Sequence, residues 1–528
     1  MFRPDVLQDA YELPAVVAPA RRLPVWWDHA LLVGLVLLTR VPLWGSFAGE
    51  PDTARYVFGL RFWMEHGPEA PGIINRELSS GYYWLAAHLA ALTGLDFADF
   101  PELLGAISLV AALLTAPALY YLGTRVVSRT AALMATIVLL LGPGWWWTGL
   151  QAHPQGLTLV LQLASMIAFM EAWRRTPARP SAVWLVASVV ALTASLLVKS
   201  DAALLFPAYF GLRFFQRSTQ QPPARVDRLG WSVLVTAGVL AAAYGAFTVL
   251  HRLITGPVPA VADQATAHIN RFLSIPRGSA LLSQLAPMLF GPGPVIFLVA
   301  IGAAAVFFVR GQTPARMRWA ILIATWSVPG YLFWLCIAGN NARHVLPFPI
   351  PIVWLALAWL ERGGVGRMVT IAAVAMLGNL VVPANSGVSL YPSANVPQSA
   401  ALMRERQDEL RQVATRLLAG RADSACYVGR TTQDYVTHYL LEQADAAGYR
   451  VDVLPSGQLA LLLSYPDGRL FRQIDMIGLR DRQDAGINPR LWPGCATVES
   501  LEYDPAGRRL RFFGTEPRLV DQLVNLVR

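Results

Sequence analysis

Repeated apolar runs, each about 18 to 22 residues long, occupy most of the chain from the first span to about residue 383. Runs of that length match the hydrocarbon thickness of a bilayer, and helices satisfy their own backbone hydrogen bonds there. The composition agrees, because 55% of the 528 residues are hydrophobic and only 15% are charged. The sequence therefore predicts a mainly α polytopic membrane protein rather than a soluble one.

We predict about 11 transmembrane helices, which lie near 29–45, 102–123, 131–149, 155–173, 181–198, 202–216, 229–250, 286–309, 319–338, 345–360 and 367–383. The stretch 82–95 is predicted to be an interfacial helix. Three parts follow from these spans: a cytoplasmic N-terminal segment (1–25), a transmembrane domain (26–385) with a first periplasmic loop (46–80), and a periplasmic α/β domain (386–528).

Arginine placement predicts which loops share a side of the membrane, because cytoplasmic loops are enriched in basic residues. The N-terminal segment is basic, and so is every second connection after it. The arginines concerned are Arg3, Arg21, Arg22, Arg125, Arg129, Arg174, Arg175, Arg179, Arg213, Arg217, Arg225, Arg228, Arg310, Arg316, Arg318, Arg362 and Arg367. The C-terminal domain is then extracytoplasmic, and the protein is a multi-pass protein of the inner (plasma) membrane.

The surplus of arginine gives a net charge of +9. We attribute it to basic cytoplasmic loops and to contacts with lipid headgroups. Since the basic residues form no long cluster, nucleic acid is not a predicted partner. The same topology gathers the polar turns on one face of the membrane. These are the loop with Glu50 and Asp52, the turn 149–155, the pair Lys199/Asp201, the loop after His251 and the segment 340–344.

The C-terminal part changes in composition after about Pro383. We predict an amphipathic helix over 398–418, strands at 425–428 and 450–454, a helix over 431–447, and a hairpin from 497–503 and 508–513. Cys426 and Cys495 could pair if this part faces an oxidising compartment. Cys336 falls inside an apolar run, where packing is the expected role.

Two acidic residues, Glu50 and Asp52, follow the first predicted span. A carboxylate at the membrane edge can act as general base on an acceptor hydroxyl or amine, or can coordinate a divalent cation with a phosphate oxygen. We assign the base to Asp52, because Pro51 fixes its approach to a helix predicted over 53–64; capping that helix is the structural alternative. Glu50 and Arg55 are neighbouring candidates for substrate binding.

Glu77 closes the same loop and could pair with the first acids around a substrate, beside Tyr82; a solvated glutamate is the alternative. Lys199 is the single lysine of the chain and lies between two apolar runs, close to Asp201. A lysine at this depth is costly unless it is paired. It either forms an ion pair with Asp201 or binds the phosphate of a lipid-linked donor.

Arg343 and His344 precede the apolar run that begins at Val345. A guanidinium at a membrane edge suits a phosphate leaving group, through two parallel hydrogen bonds and its charge. Snorkelling to lipid headgroups is the alternative. His153 lies beside a proline at a helix start, where it could cap, pack or contact substrate. No second ligand at a diagnostic spacing accompanies it, so no metal is assigned.

The order of these segments resembles the GT-C glycosyltransferases, in particular the protein mannosyltransferase and aminoarabinose transferase-like group. The similar blocks, within about residues 25 to 385, are Glu50-Pro51-Asp52-Thr53-Ala54-Arg55-Tyr56, then Glu77-Leu78-Ser79-Ser80-Gly81-Tyr82-Tyr83, then Leu197 to Pro207, and finally Ala342-Arg343-His344-Val345-Leu346-Pro347. Two features depart from the family: no adjacent Asp-Glu pair is present, and Ser79-Ser80-Gly81 replaces a proline-containing step.

The resemblance implies transfer of a sugar from a polyprenyl-phosphate donor on the exoplasmic side, with a loop acid as base, and Asp52 is the residue carried over. We read the transfer as inverting, with a glycan, lipid or protein acceptor and with membrane lipids as further partners. The cofactor is unknown, a divalent cation being compatible with the acids. Two alternatives stay open: a transporter or flippase for a lipid-linked solute, and a non-catalytic membrane assembly protein.

Overall fold

A computed structural model gives the architecture of residues 25–45, 51–68, 76–95, 99–174, 180–219, 229–256, 285, 293–336, 342–381, 396–397, 400–401, 404, 450–454 and 460–464. The described part is mainly helical, as predicted. Among the described residues, three helices are long and apolar enough to cross a membrane, Phe100–Gly123, Pro154–Ala172 and Gly230–Thr255, and several shorter apolar helices accompany them. The chain is therefore a membrane protein with multiple spanning helices.

The helices follow one another in the order predicted. Their bounds are α1 Val25–Arg40, α2 Pro51–His66, α3 Arg76–Thr93, α4 Phe100–Gly123, α5 Arg129–Leu140, α6 Pro143–Thr148, α7 Pro154–Ala172, α8 Ala182–Val198, α9 Phe206–Thr219, α10 Leu229–Thr255, α11 Pro294–Arg310, α12 Thr313–Trp326, α13 Val328–Leu335, α14 Ile350–Glu361 and α15 Val365–Val381. Short 3-10 turns occupy Val41–Leu43, Ser200–Leu205 and Ala342–Val345.

Several predicted spans are interrupted, and a proline accompanies each break. The span predicted over 131–149 ends at Leu140 and resumes as α6 at Pro143. The span over 319–338 breaks at Ser327, where α13 carries a proline in its first turn. Proline lacks the N–H that an unbroken helix needs, but it fits the first turn of a new one. Hydropathy does not register such breaks, because the residues on both sides are apolar.

The first extramembrane segment also contains more helix than predicted. The helix expected over 53–64 runs as α2 from Pro51 to His66, so Asp52 lies in its first turn instead of preceding it. The end of the predicted loop is helical from Arg76 onward, with a kink at Ser79 (φ −143°, ψ 31°). One face of α3 is buried against the bundle, and Trp84 and Leu92 are exposed on the other.

The main hydrophobic cluster of the described residues packs α7 against α4 and α8, α9 against α12, and α11 against α14. Glycine allows one close approach of two helices: a Cβ at Gly81 would lie 2.8 Å from the carbonyl carbon of Leu197, so α3 and α8 approach each other through their backbones. Tryptophan fills the interior, with Trp173, Trp319 and Trp354 almost fully buried. Apolar side chains such as Leu234 stay exposed on the outside, where lipid would cover them.

Charged contacts separate the two ends of the bundle. At the end where α1 begins, Arg129 Nε donates to Asp28 Oδ2 at 2.6 Å, and Arg125 Nη2 lies 2.8 Å from Glu171 Oε1. We call this the arginine end. The opposite end gathers the end of α8 and the starts of α7 and α14. We call it the site end, and the predicted polar turns 149–155, 199–201 and 343–344 meet there.

The chain after α15 returns to the site end, since Val396 and Ala400 pack against Trp147 and Leu150. The predicted strand Arg450–Leu454 is confirmed, and it pairs antiparallel with Ala460–Ser464. The remaining C-terminal predictions lie outside the described residues, except for helical positions 400–401 and 404. Both cysteines of that part also lie outside them. Cys336 is a free thiol, half-buried at the end of α13.

Candidate active site at the site end

A small cavity of about 30 Å³ opens at the site end, between the start of α7, the turn after α8, the end of α13 and the turn before α14. We call it the Lys199–Arg343 cleft. Its polar lining consists of Gln155, Thr158, Gln162, Lys199, Asp201, Trp334, Arg343 and His344. Four of the residues selected from the sequence therefore line one cavity, although up to 145 positions separate them.

Lys199 is placed by the end of α8. The helix ends at Val198, and Lys199 is extended (φ −160°, ψ 119°) before the 3-10 turn Ser200–Leu205 begins. Its side chain is buried, with Nζ 2.9 Å from Asp201 Oδ2 and 3.1 Å from His344 Nδ1. The ion pair that the sequence left as one alternative is thus present, and it lies inside the cleft.

Lys199 also determines the proton position on His344. An ammonium has no lone pair, so Nζ donates and Nδ1 accepts, which leaves the imidazole neutral with its proton on Nε2. Burial lowers the pKa of His344 to about 3, and the neighbouring Lys199 charge acts in the same direction. The indole of Trp334 holds the ring by stacking at 4.1 Å with an interplanar angle of 20°.

Asp201 keeps its charge in this setting. Burial raises the pKa of the carboxyl group, but the neighbouring Lys199 charge lowers it more, to about 2. The carboxylate is fixed in position as a result. Its distance to His344 Nδ1 is 3.9 Å, too long for a hydrogen bond, which agrees with a neutral imidazole facing Lys199.

Arg343 lies beside His344 on the 3-10 turn and is buried. Its Nη1 donates to His153 Nε2 at 3.1 Å, so His153 carries its proton on Nδ1. His153 is the residue before α7, and its side chain does not cap that helix. Of the alternatives for His153, capping is therefore wrong, and the side chain packs within the protein in contact with Arg343.

Helix α2 reaches the cleft through Tyr56. The Tyr56 ring meets His153 edge-on at 5.3 Å and Tyr82 edge-on at 5.5 Å. Tyr82 is fully buried on α3. Asp52 precedes Tyr56 by four residues, about one helical turn, so this contact brings the first turn of α2 close to His153.

Three predicted residues are only partly accounted for. Arg55 lies on α2 and Glu77 in the first turn of α3, but their side chains are outside the described part, as is that of Asp52. Glu50 is outside it altogether. The assigned roles of these residues stay predictions.

Three residues that line the cleft were not selected as site residues from the sequence: Trp334, Gln155 and Gln162. The two glutamines are seven residues apart on α7, so they lie on the same helix face. A polar residue within an apolar helix often marks a functional position, and Gln162 is such a residue in the sequence of α7. Its Nε2 donates to the Ala202 carbonyl at 3.3 Å, whereas the buried Gln155 Oε1 has no partner among the described residues. Trp334 offered no such signal in an apolar run rich in aromatic residues.

The cleft combines two cations with one carboxylate, so its described lining carries a net positive charge. A guanidinium and an ammonium are the groups that proteins use to bind phosphate. A hard divalent cation needs several oxygen ligands, and the described residues contain no group of three His, Cys, Asp or Glu side chains suited to a metal. The predicted coordination of a divalent cation involves Glu50 and Asp52, whose side chains lie outside the described part.

Two solved structures are similar to this chain at low sequence identity. Against ArnT from Cupriavidus metallidurans bound to undecaprenyl phosphate, the TM-score is 0.49 at 16% identity, covering 79% of this chain and 75% of that one. Against the oligosaccharyltransferase AglB from Archaeoglobus fulgidus, in complex with an inhibitory peptide and a dolichol-phosphate, it is 0.45 at 12% identity, covering 74% and 58%. No family model and no curated protein sequence matches the chain.

Proposed function

We propose that this protein transfers a sugar from a polyprenyl-phosphate donor to an acceptor at the site end of the bundle. The observation that carries the proposal is the Lys199–Arg343 cleft, in which two buried cations lie together at the end of apolar helices. An isolated buried charge is costly in a membrane. A site that keeps two of them with one carboxylate is suited to a ligand that brings negative charge and an apolar tail.

Lys199 and Arg343 would bind the phosphate of the donor. In the transfer, the bond between the anomeric carbon and the phosphate oxygen breaks, and the oxygen keeps the electron pair. The new negative charge is stabilised by cations that are already in place, which is the most effective form of electrostatic catalysis. Neutral His344 would add an Nε2–H donor, and Asp201 would hold Lys199 in position.

Asp52 would act as the general base. The acceptor hydroxyl or amine attacks the anomeric carbon while its proton passes to the carboxylate. A single displacement with base and leaving group on opposite faces of the sugar inverts the anomeric centre. The proposal is supported by the contact of Tyr56 with His153, because it brings the first turn of α2 towards the cleft.

The arginine end would be cytoplasmic, following the positive-inside rule, and the cleft would face the periplasm of a bacterial host. The segment after α15 packs at the same end, so the C-terminal domain would lie on the side of the cleft. The acceptor would be a glycan, a lipid or a protein.

The test compares Asp52→Asn with Asp99→Asn, a matched control at an exposed acid just before α4. Purified variants are assayed for transfer from a panel of polyprenyl-phosphate sugars to a cell-envelope extract. Asp52→Asn should abolish transfer without changing yield or unfolding temperature, and Asp99→Asn should retain it. Near-normal turnover in Asp52→Asn would refute the assignment of the base.

A further inference from the structure

A second polar cleft lies at the arginine end, far along the bundle from Lys199 and Arg343. It has a volume of about 200 Å³ and is formed by α9, the first two turns of α10, and α12. We call it the Arg213–Arg217 cleft. Its lining residues are Phe210, Arg213, Phe214, Arg217, Ser232, Val233, Thr236, Ile321 and Thr325. None of these described residues is a carboxylate.

Arg213 is built into the wall of this cleft. Only 3% of the residue is exposed, its guanidinium lies 3.9 Å from the centre of the Trp173 ring, and its Nε donates to Ser232 Oγ at 3.2 Å. The stacking fixes the plane of the guanidinium. The charge is therefore held in one orientation at the membrane boundary.

Arg217 adds a second charge one turn further along the same face of α9. Its Nη1 is buried and has no hydrogen-bond partner among the described residues. A buried donor without a partner destabilises the folded state. Two guanidinium groups in one cleft without a lining carboxylate are suited to a ligand with several negatively charged oxygens.

The cleft lies at the depth of lipid headgroups. Helix α10 has 27 residues and a length of about 40 Å, longer than the hydrocarbon core of about 30 Å. Its first turn, with Ser232, therefore reaches the boundary region, where Trp231 is 49% exposed as expected of an interfacial aromatic residue. Val233 is 44% exposed and continues the apolar wall towards the membrane.

We propose that the Arg213–Arg217 cleft binds the phosphate headgroup of an anionic membrane phospholipid. The guanidinium groups bind the phosphate oxygens, and an acyl chain extends along Phe210, Val233 and Ile321. A lipid fits better than a free phosphate ion because the cations and the exposed apolar wall belong to the same cavity. This site is independent of the glycosyl donor, which the proposed function places at the opposite end.

The experiment uses the full chain in detergent, with native mass spectrometry for bound lipid and thermal unfolding as a second readout. The probes are phosphatidylglycerol, phosphatidylcholine and inorganic phosphate. Arg217→Gln removes a charge, and Val233→Trp blocks the cleft from its exposed side while keeping both arginines. Arg252→Gln changes an exposed arginine at the other end of α10 and is the control.

We expect the wild type and Arg252→Gln to bind phosphatidylglycerol with the same affinity and to be stabilised by it. Arg217→Gln and Val233→Trp should each weaken that affinity at least tenfold. Equal affinity for phosphatidylcholine would refute the preference for an anionic headgroup. Full stabilisation by inorganic phosphate would refute lipid binding and show that the cleft binds a free ion. Binding of phosphatidylglycerol that is the same in all four proteins would overturn the location.

Discussion

Lys199 has two separable roles, the ion pair with Asp201 and the proposed contact with donor phosphate. Lys199→Gln removes the charge and keeps a long polar side chain, which leaves the Asp201 carboxylate without its cation. Asp201→Asn, made alone and together with Lys199→Gln, completes a double-mutant cycle. The cycle distinguishes a structural lysine from one that acts on substrate.

The geometry gives the size of the stability effect. Charges separated by 2.9 Å attract by about 6 kcal/mol at an effective dielectric constant of ~20, and removing one partner of a buried pair costs about 3 to 5 kcal/mol. The Asp201 side chain is 24% exposed, so solvent screens part of this energy. We expect Lys199→Gln to destabilise the protein by about 2 kcal/mol and the double variant by less than about 1 kcal/mol.

Activity should follow a different pattern. Removing a group that stabilises the leaving oxygen costs about 100-fold to 1,000-fold in turnover, so both variants that lack Lys199 should be slow, whatever their stability. Unfolding temperature and transfer from the polyprenyl-phosphate donor are measured on the same preparations. If the double variant regains turnover together with stability, Lys199 is a structural residue and its proposed role is refuted.

Three further results are expected. The pKa of His344 is lowered to about 3 in the folded protein, so between about pH 3 and pH 6.5 the unfolded chain binds more protons than the folded one. The free energy of unfolding should therefore fall by up to about 2 kcal/mol from pH 7 to pH 5. The unfolding temperature of His344→Gln should change less over the same range. Gly81→Ala should destabilise the folded protein by about 1 to 3 kcal/mol, because the added Cβ would clash with Leu197. Gly238→Ala is the control, because there is open space around Gly238. Equal unfolding temperatures of the two variants would contradict this prediction. Tyr56→Ala should lower turnover by a larger free-energy difference than it lowers the free energy of unfolding. Unchanged turnover would show that α2 does not contribute to the site.

The sequence permits prediction of which turns meet, because arginine placement orders the ends of the helices. Lys199 and Asp201 are two positions apart, so their pairing is a local matter. Arg343 and His344 could be assigned to the same membrane face as Lys199 without any coordinates. The broad architecture and the strand Arg450–Leu454 follow from periodicity and composition in the same way.

The contacts within the cleft could not be predicted from those patterns. The bond from Arg343 to His153 joins residues 190 positions apart, and the stacking of Trp334 on His344 depends on where α13 ends. Neither residue pair has a spacing that hydropathy or charge would detect. The helix breaks after Leu140 and at Ser327 were missed for a related reason, since backbone geometry at proline leaves the apolar pattern unchanged.

The lengths of the helices that lead to the cleft have a consequence for the surrounding bilayer. Helix α8 has 17 residues and spans about 26 Å, and α14 has 12 residues and spans about 18 Å. Both are shorter than a hydrocarbon core of about 30 Å, so the charged groups at their ends lie below the headgroup level. Under the proposed function, bilayer thickness would set how far a donor phosphate must descend to reach Lys199, and acyl-chain length would then control turnover.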